Sequence, residues 1–418
     1  MTGRLWRIGW RNLGRNRKRT VLTALGLGVG YFAVVFMVGW ADGVSTELIE
    51  NATSLVSGPI EIHDADYRPE RSLYETIGGR EGADVGEILR TIEADPSVVA
   101  AAPRVYASGL VSSGEATLAG VLLGVDPERE VALTRFLDPL AAGRMPATGR
   151  YEAVVGDEMA RQLELSVGDE LIVVASAADG SMGNDLYTVT GIFRTGLLEF
   201  DASTMVMPVA DLQTLVVLDP GRVHEIAVST DDPSQADVTA TRLAAALGAP
   251  EQAMSVAAWT ELNPVLAQYV ALADATYWIF IVLIYSVASF GIANTTLMAT
   301  FERRREFAVM LALGASPRSV VGTVLSEAVA TGVIGLALGT VVTVPLLVWF
   351  SAAPPDLGWL YGSLTVEGVL LTPSLRVGTN VPAWTWATIG LIVTALVSAL
   401  YPALRAARVP PADTLSGL

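Results

Sequence analysis

Asn294–Gly339 reads NTTLMATFERRREFAVMLALGASPRSVVGTVLSEAVATGVIGLALG. An apolar run ends at Thr300. A short segment follows in which Phe307, Met310, Leu311 and Leu313 alternate with charges. Leu313-Gly314-Ala315-Ser316 then permits a tight turn, and a second apolar run begins. A helix needs about 20 apolar residues to cross a hydrocarbon core of about 30 Å. The stretch therefore reads as two spans joined by a charged amphipathic helix too short to span. Such a helix lies at the membrane surface and docks into a groove on a partner.

Two further apolar runs lie outside this stretch. Val21–Trp40 is uncharged and longer than the core of a secretory signal, so it reads as an uncleaved anchor. Trp384–Tyr401 is the last run, and the runs within and around the opening stretch are Thr276–Thr300 and Val320–Phe350. The fold class is thus a membrane protein with four transmembrane α-helices and a large mixed α/β extracytoplasmic domain. Its expected segments are an amphipathic interfacial helix (1–20), a first span (21–46), the α/β domain (47–272) and a second span (273–300). After these come a coupling helix and loop (301–318), a third span (319–350), an outer loop (351–383), a fourth span (384–401) and a tail (402–418).

Charge sets the orientation. Residues 1–20, 301–318 and 402–418 carry +7, +2 and +1, whereas residues 21–274 carry 37 acidic and 13 basic side chains. Positive loops stay in the cytoplasm. Both termini and the 301–318 loop are expected inside, in a cytoplasmic or inner membrane, with the large domain outside. Its acidity opposes binding to nucleic acid. Arg4, Arg7, Arg11, Arg15 and Lys18 form one helical stripe, with Trp6, Trp10 and Leu13 on another face, a pattern that suits contact with membrane lipids.

Composition removes several chemistries. There is no cysteine, so disulfides and thiolate metal ligands are excluded. The run His63-Asp64-Ala65-Asp66 does not have diagnostic metal-ligand spacing, and the chain carries no nucleophile signature. Its single lysine, Lys18, lacks the glycine loop of a phosphate-binding site. No cofactor is expected in this chain, and any ATP is expected on a separate subunit.

Within the α/β domain, alternation predicts strands at 58–63, 118–125, 170–175 and 186–193. Helical spacing predicts helices at 84–94, 158–165 and 234–247. Gly26 with Gly30 and Gly335 with Gly339 make GxxxG patterns in the first and third spans, which predict close helix contact. Glu327 is the one charge inside a span. A charge at mid-bilayer costs about 2.5–3.5 kcal/mol on insertion scales, so it reads either as a paired residue of the permease or coupling network, or as a snorkelling or protonated group.

Glu302-Arg303, Arg305-Glu306 and Ala312-Leu313-Gly314-Ala315 resemble the loop of the MacB/FtsX-like ABC permeases. Arg11-Asn12-Leu13 near the start and Tyr401-Pro402-Ala403 with Pro411-Ala412 near the end resemble the same family. Val154-Val155-Gly156-Asp157 and Val167-Gly168-Asp169 are similar to its periplasmic core domain, and Gly191-Ile192-Phe193 is most similar to the lipoprotein-releasing LolC/LolE branch. Leu311 departs from the pattern, standing where many members carry a basic residue.

The resemblance implies a permease that pairs with a second copy or homologue above two ABC ATPase subunits. It implies transmission of ATP-driven motion to the outer domain, with lipoprotein or other lipophilic cargo. Glu302, Arg303, Arg305, Glu306, Met310, Leu313 and Gly314 would couple to the ATPase, with Glu302 and Glu306 making polar contacts and Met310 and Leu313 filling an apolar groove. An FtsX-like subunit relaying motion to a cell-wall hydrolase is the alternative.

Overall fold

A computed structural model describes residues 17–79, 83–137, 140–249, 253–361, 364–366, 369–371, 374–378 and 381–416. The predicted stripe from Arg4 to Arg15, with its tryptophans, lies outside the described residues. The chain forms two compact units. One comprises Met1–Thr46, Val270–Gly362 and Pro373–Leu418, and the other Glu47–Tyr269 and Ser363–Thr372.

Helix α1 (Arg17–Ala52) ends in a wide turn, Thr53–Ser57. Gly58 then redirects the chain at φ 78°, where a Cβ would also lie 3.0 Å from the Val228 carbonyl oxygen. Both the left-handed backbone and the close approach demand glycine. Strand β1 (Ile60–Asp64) follows. The other strands as far as Ala258 are β2 (Ile77–Gly78), β3 (Val98–Ser113), β4 (Ala116–Val125), β5 (Ala142–Gly143), β6 (Glu152–Gly156), β7 (Glu170–Ser176), β8 (Met182–Phe193), β9 (Thr204–Pro208), β10 (Arg222–Val223), β11 (Glu225–Thr230) and β12 (Met254–Ala258). Ten of them form one mixed sheet in the order β12-β1-β11-β3-β4-β9-β6-β8-β5, with β7 paired to β3 and β8. Pairs β4–β9 and β6–β8 are parallel.

Helices α2 (Val85–Glu93), α3 (Pro127–Leu133), α4 (Asp157–Gln162), α5 (Leu198–Ser203), α6 (Val209–Leu215) and α7 (Ala236–Leu247) complete this unit. Their starts are written in the sequence. Asp84 caps α2 by accepting from the Gly86 amide, and Val85, Ile88, Leu89 and Ile92 bury one face. Asp126 caps α3, with Pro127 in its first turn. Edge-on rings of Phe136, Phe193 and Phe200 pack beside Leu123, Val154 and Val206 in the core.

The predicted strands and helices coincide with β1, β4, β7, β8, α2, α4 and α7. Helix α4 stops three residues before the expected Leu165. Glu164 takes a left-handed φ of 52°, and the Leu165 amide reaches back to the Ala160 carbonyl at 2.8 Å. Leu163 and Leu165 are still buried, which is why the apolar spacing continued past the helix end.

The helical unit adds α8 (Pro264–Glu302), α9 (Arg304–Ala312), α10 (Pro317–Ala352), α11 (Val381–Ala406) and α12 (Pro411–Ser416) to α1. Among the described residues α1, α8, α10 and α11 are long and apolar enough to cross a membrane. They pack through a cluster that includes Leu27, Val34, Val35, Tyr285, Leu347, Leu391 and Ala395. Hydroxyl contacts join the same helices. Tyr31 and Thr388 lie 3.2 Å apart, Ser289 and Ser398 lie 2.7 Å apart, and Tyr285 donates to the Ala387 carbonyl at 2.6 Å.

The crossing of α1 and α10 selects particular small residues. Helix α1 does not meet α10 through Gly26 and Gly30. Gly26 faces open space, and the nearest atom to a Cβ on Gly30 is Ala288 Cβ, 4.0 Å away. The crossing uses Ala24 and Gly28 instead. A Cβ on Gly28 would lie 3.1 Å from the Gly335 carbonyl oxygen and 3.2 Å from the Gly339 amide. Gly335 and Gly339 do face α1, and a Cβ on Gly339 would lie 2.9 Å from the Gly28 oxygen. The pair that α1 contributes to this crossing is therefore Ala-x-x-x-Gly, offset by two positions from Gly26 and Gly30.

Candidate partner-docking site

The 301–316 segment builds its own boundaries. Helix α9 ends in a double return. The Ala315 amide donates to the Met310 carbonyl at 3.0 Å, and the Gly314 amide to the Leu311 carbonyl at 3.1 Å. Gly314 sits at φ 90°. These are the two bonds of a Schellman cap, which needs a left-handed residue at that place. Ser316 then caps α10 by accepting from the Ser319 amide at 3.3 Å, with Pro317 in the first turn. Leu-Gly-Ala-Ser-Pro is thus a stop signal followed directly by a start signal.

The faces of α9 divide the expected site residues. Phe307 and Ala308 are buried. Phe307 packs with Val320, Val324, Ala403 and Ala406, and Met310 and Leu311 pack partly against that cluster. Met310 is half-buried, with part of its side chain turned toward the protein's own core. Glu302, Arg304, Arg305, Leu313 and Gly314 are exposed, and Leu313 is 84% exposed. Val309, which sequence reasoning passed over, joins them at 42%. Glu302, Arg305, Val309 and Leu313 recur at spacings of three and four, so the signal for this stripe was present in the sequence.

Arg303 joins α9 to α10. Its guanidinium donates to both Glu327 carboxylate oxygens, at 2.7 and 2.8 Å, and to Glu306 at 2.9 Å. It also lies 5.3 Å from the centre of the Phe307 ring. The bidentate fork suits arginine rather than lysine. Glu327 thus has a cationic partner 24 positions earlier in the chain. Glu306 accepts from Arg303 and helps to orient it, and its side chain is 36% exposed. Beside this pair lies a cavity of about 260 Å³ whose hydroxyl-bearing walls include Thr23, Thr295, Thr300 and Thr331.

A second polar cluster is buried in the α/β unit. Arg104 on β3 pairs with Glu130 on α3 at 2.5 Å and with Glu225 on β11 at 3.3 Å, all three fully buried. Tyr106 donates to Glu225 at 2.8 Å, and Glu61 pairs with Arg68. The His63–Asp66 run is the end of β1 and the turn that follows it. Asp64 accepts from the Asp66 amide, and His63 Nδ1 lies 2.7 Å from the Asp64 carbonyl oxygen. Among the described residues no group of three or more His, Asp or Glu is placed to hold a metal ion.

In chain order, an α/β unit lies between the first and second of four apolar helices, and a short surface helix joins the second to the third. That arrangement is that of a chain with four candidate membrane spans. Residues 20–246 match the MacB-like periplasmic core domain, and residues 278–411 match the FtsX-like permease C-terminal region. The chain belongs to the MacB/FtsX-like permease family of ABC transporters, near LolC and LolE.

It is 25% identical to the lipoprotein-releasing system transmembrane protein LolC of Xylella fastidiosa, over 93% of this chain and 94% of that protein. It is 22% identical to LolE of Haemophilus influenzae over 98% of both chains. It is 25% identical to the macrolide export ATP-binding/permease protein MacB of Escherichia coli, over 98% of this chain and 60% of that longer protein. Among solved structures, the periplasmic region of MacB from Actinobacillus actinomycetemcomitans is similar over 50% of this chain and 92% of that one, with 12% identity and a TM-score of 0.36.

Proposed function

We propose that this chain is the permease subunit of an ABC transporter that relays ATP-driven motion from a separate ATPase to its α/β domain, releasing lipoproteins or other lipophilic cargo. ATP binds the partner, of which two copies sit beneath a pair of permeases. Both termini and α9 face the cytoplasm, and the α/β unit lies outside. The observation that carries the reading is the exposed row Glu302, Arg305, Val309 and Leu313, running from the last residue of α8 along α9 to its C-cap, with the other face of α9 packed against α10 and α11. Exposed apolar side chains on a braced surface helix suit insertion into a partner's groove.

Leu313 is the apolar anchor in this reading, and Arg303 and Glu306 keep the stripe presented. Leu313→Asp should reduce co-purification of the ATPase subunit roughly thirtyfold, the loss of about 2 kcal/mol for a central interface residue. Glu70→Ala, at an exposed position of the α/β unit, should not. Undiminished recovery with Leu313→Asp, at matched membrane expression, would remove the stripe as the docking surface.

A further inference from the structure

At the ends of α8 and α11 a cavity of about 390 Å³ opens, lined by Phe301 and Arg304 from one side and by Tyr401, Leu404, Arg405 and Arg408 from the other. Three arginines line its wall, and among the described residues no acidic side chain does. Among the described residues none of the three belongs to an ion pair. Arg405 lies 4.7 Å from the centre of the Phe301 ring, a contact made by the face of the cation that leaves its N–H donors available. Like charges gathered around one small cavity repel each other, so the arrangement favours an anion that all three can reach. Arginine holds phosphate oxygens in a bidentate geometry.

The approach to the cavity identifies the anion further. On α11, Val397, Leu400, Tyr401 and Leu404 are exposed one after another along the helix, and Arg405 and Arg408 follow them. On α8, Phe290, Met298 and Phe301 are exposed, and Arg304 follows. Both helices are apolar enough to cross a membrane. Each presents apolar surface that ends in arginine, the order in which a phospholipid presents acyl chain and then phosphate. A soluble phosphate would need only the cations. We propose that this cavity is a headgroup site for an anionic phospholipid, with its phosphate held by Arg304, Arg405 and Arg408 and its acyl chains lying along Val397–Leu404. Basic pockets between membrane helices on the cytoplasmic side recognise lipid headgroups by the same chemistry.

The test uses the purified full chain without its ATPase, in micelles titrated with phosphatidylglycerol or phosphatidylcholine, with retained lipid counted by native mass spectrometry. The wild type should retain phosphatidylglycerol in preference to phosphatidylcholine. Arg405→Gln with Arg408→Gln should reduce that preference roughly tenfold or more. Arg318→Gln, at an exposed arginine outside the cavity, should preserve it. Thermal unfolding in phosphatidylcholine alone shows whether each variant is folded, and Arg304→Gln carries the same test if the double variant does not insert. Equal retention of the two lipids by the wild type would overturn the proposal, as would an unchanged preference in the glutamine variants or an equal loss with Arg318→Gln. Binding of glycerol phosphate as tightly as of the lipid would overturn it in favour of a free-phosphate site.

Discussion

Glu61 on β1 and Glu225 on β11 stand on the same face of adjacent antiparallel strands, both almost fully buried. Burial pushes the Glu61 carboxyl up, the Glu225 charge adds to this, and Arg68 and Arg71 oppose it, leaving it at about 7 against an ordinary 4.5. A folded-state value above the unfolded one means that the folded protein holds more protons between the two. Its contribution to stability is complete below about 4.5 and is lost as pH rises through about 7. Buried His63 and His224 act in the opposite sense, because desolvation lowers both, so acid disfavours the folded state through them. Comparison with Glu61→Gln isolates the carboxyl. Between about pH 5 and about pH 8 the wild type should lose up to about 3 kcal/mol relative to that variant, read as a falling difference in unfolding temperature. Parallel pH profiles for the two proteins would contradict this account of Glu61.

The crossing of α1 and α10 shows how one position in a helix differs from the next. A Cβ on Gly335 would lie 2.6 Å from Leu27 Cβ and 3.0 Å from the Ala24 oxygen, whereas one on Gly26 meets nothing within 4 Å. Gly335→Leu should therefore destabilise the helical unit by about 1–3 kcal/mol through overpacking. Gly26→Leu should stay within about 0.5 kcal/mol of wild type. Thermal unfolding of the full chain in one detergent compares them, and equal losses would refute the crossing. Other elements differ in how legible they were. The start of α3 follows from Asp126-Pro127 and the end of α9 from Gly314, because caps act within one turn. Strand β3, at 16 residues the longest, escaped notice. Its stretch Ala100-Ala101-Ala102-Pro103-Arg104 breaks apolar alternation, and Arg104 is buried only because Glu130 and Glu225 arrive from elsewhere in the fold.

For the whole molecule, the partition of charge makes the orientation testable in a chain without cysteine. Single cysteines at Asp179, in the turn between β7 and β8, and at Ser316, in the turn before α10, are both at exposed positions. In intact cells an impermeant thiol reagent should label Asp179→Cys and leave Ser316→Cys unlabelled until the membrane is opened. The reverse pattern would invert the proposed topology. The same result would decide on which side the three-arginine cavity lies, since its residues are on helices whose ends share the charge bias of the 301–318 loop.

The four apolar helices, the short helix between the second and third, and the turns that begin and end it were determined by the sequence alone. Hydropathy over 20 residues, a left-handed glycine and a serine–proline start all act through neighbours along the chain. Tertiary structure alone decided that Glu327 meets Arg303, that Met310 turns inward while Val309 turns outward, and that Gly28 rather than Gly26 or Gly30 meets α10. These outcomes depend on the rotation of each helix about its axis. One residue turns a helix by about 100°, so a small change in crossing geometry substitutes one small residue for another at the contact. No local pattern carries that information, because the energy that selects the rotation comes from side chains on the other helix.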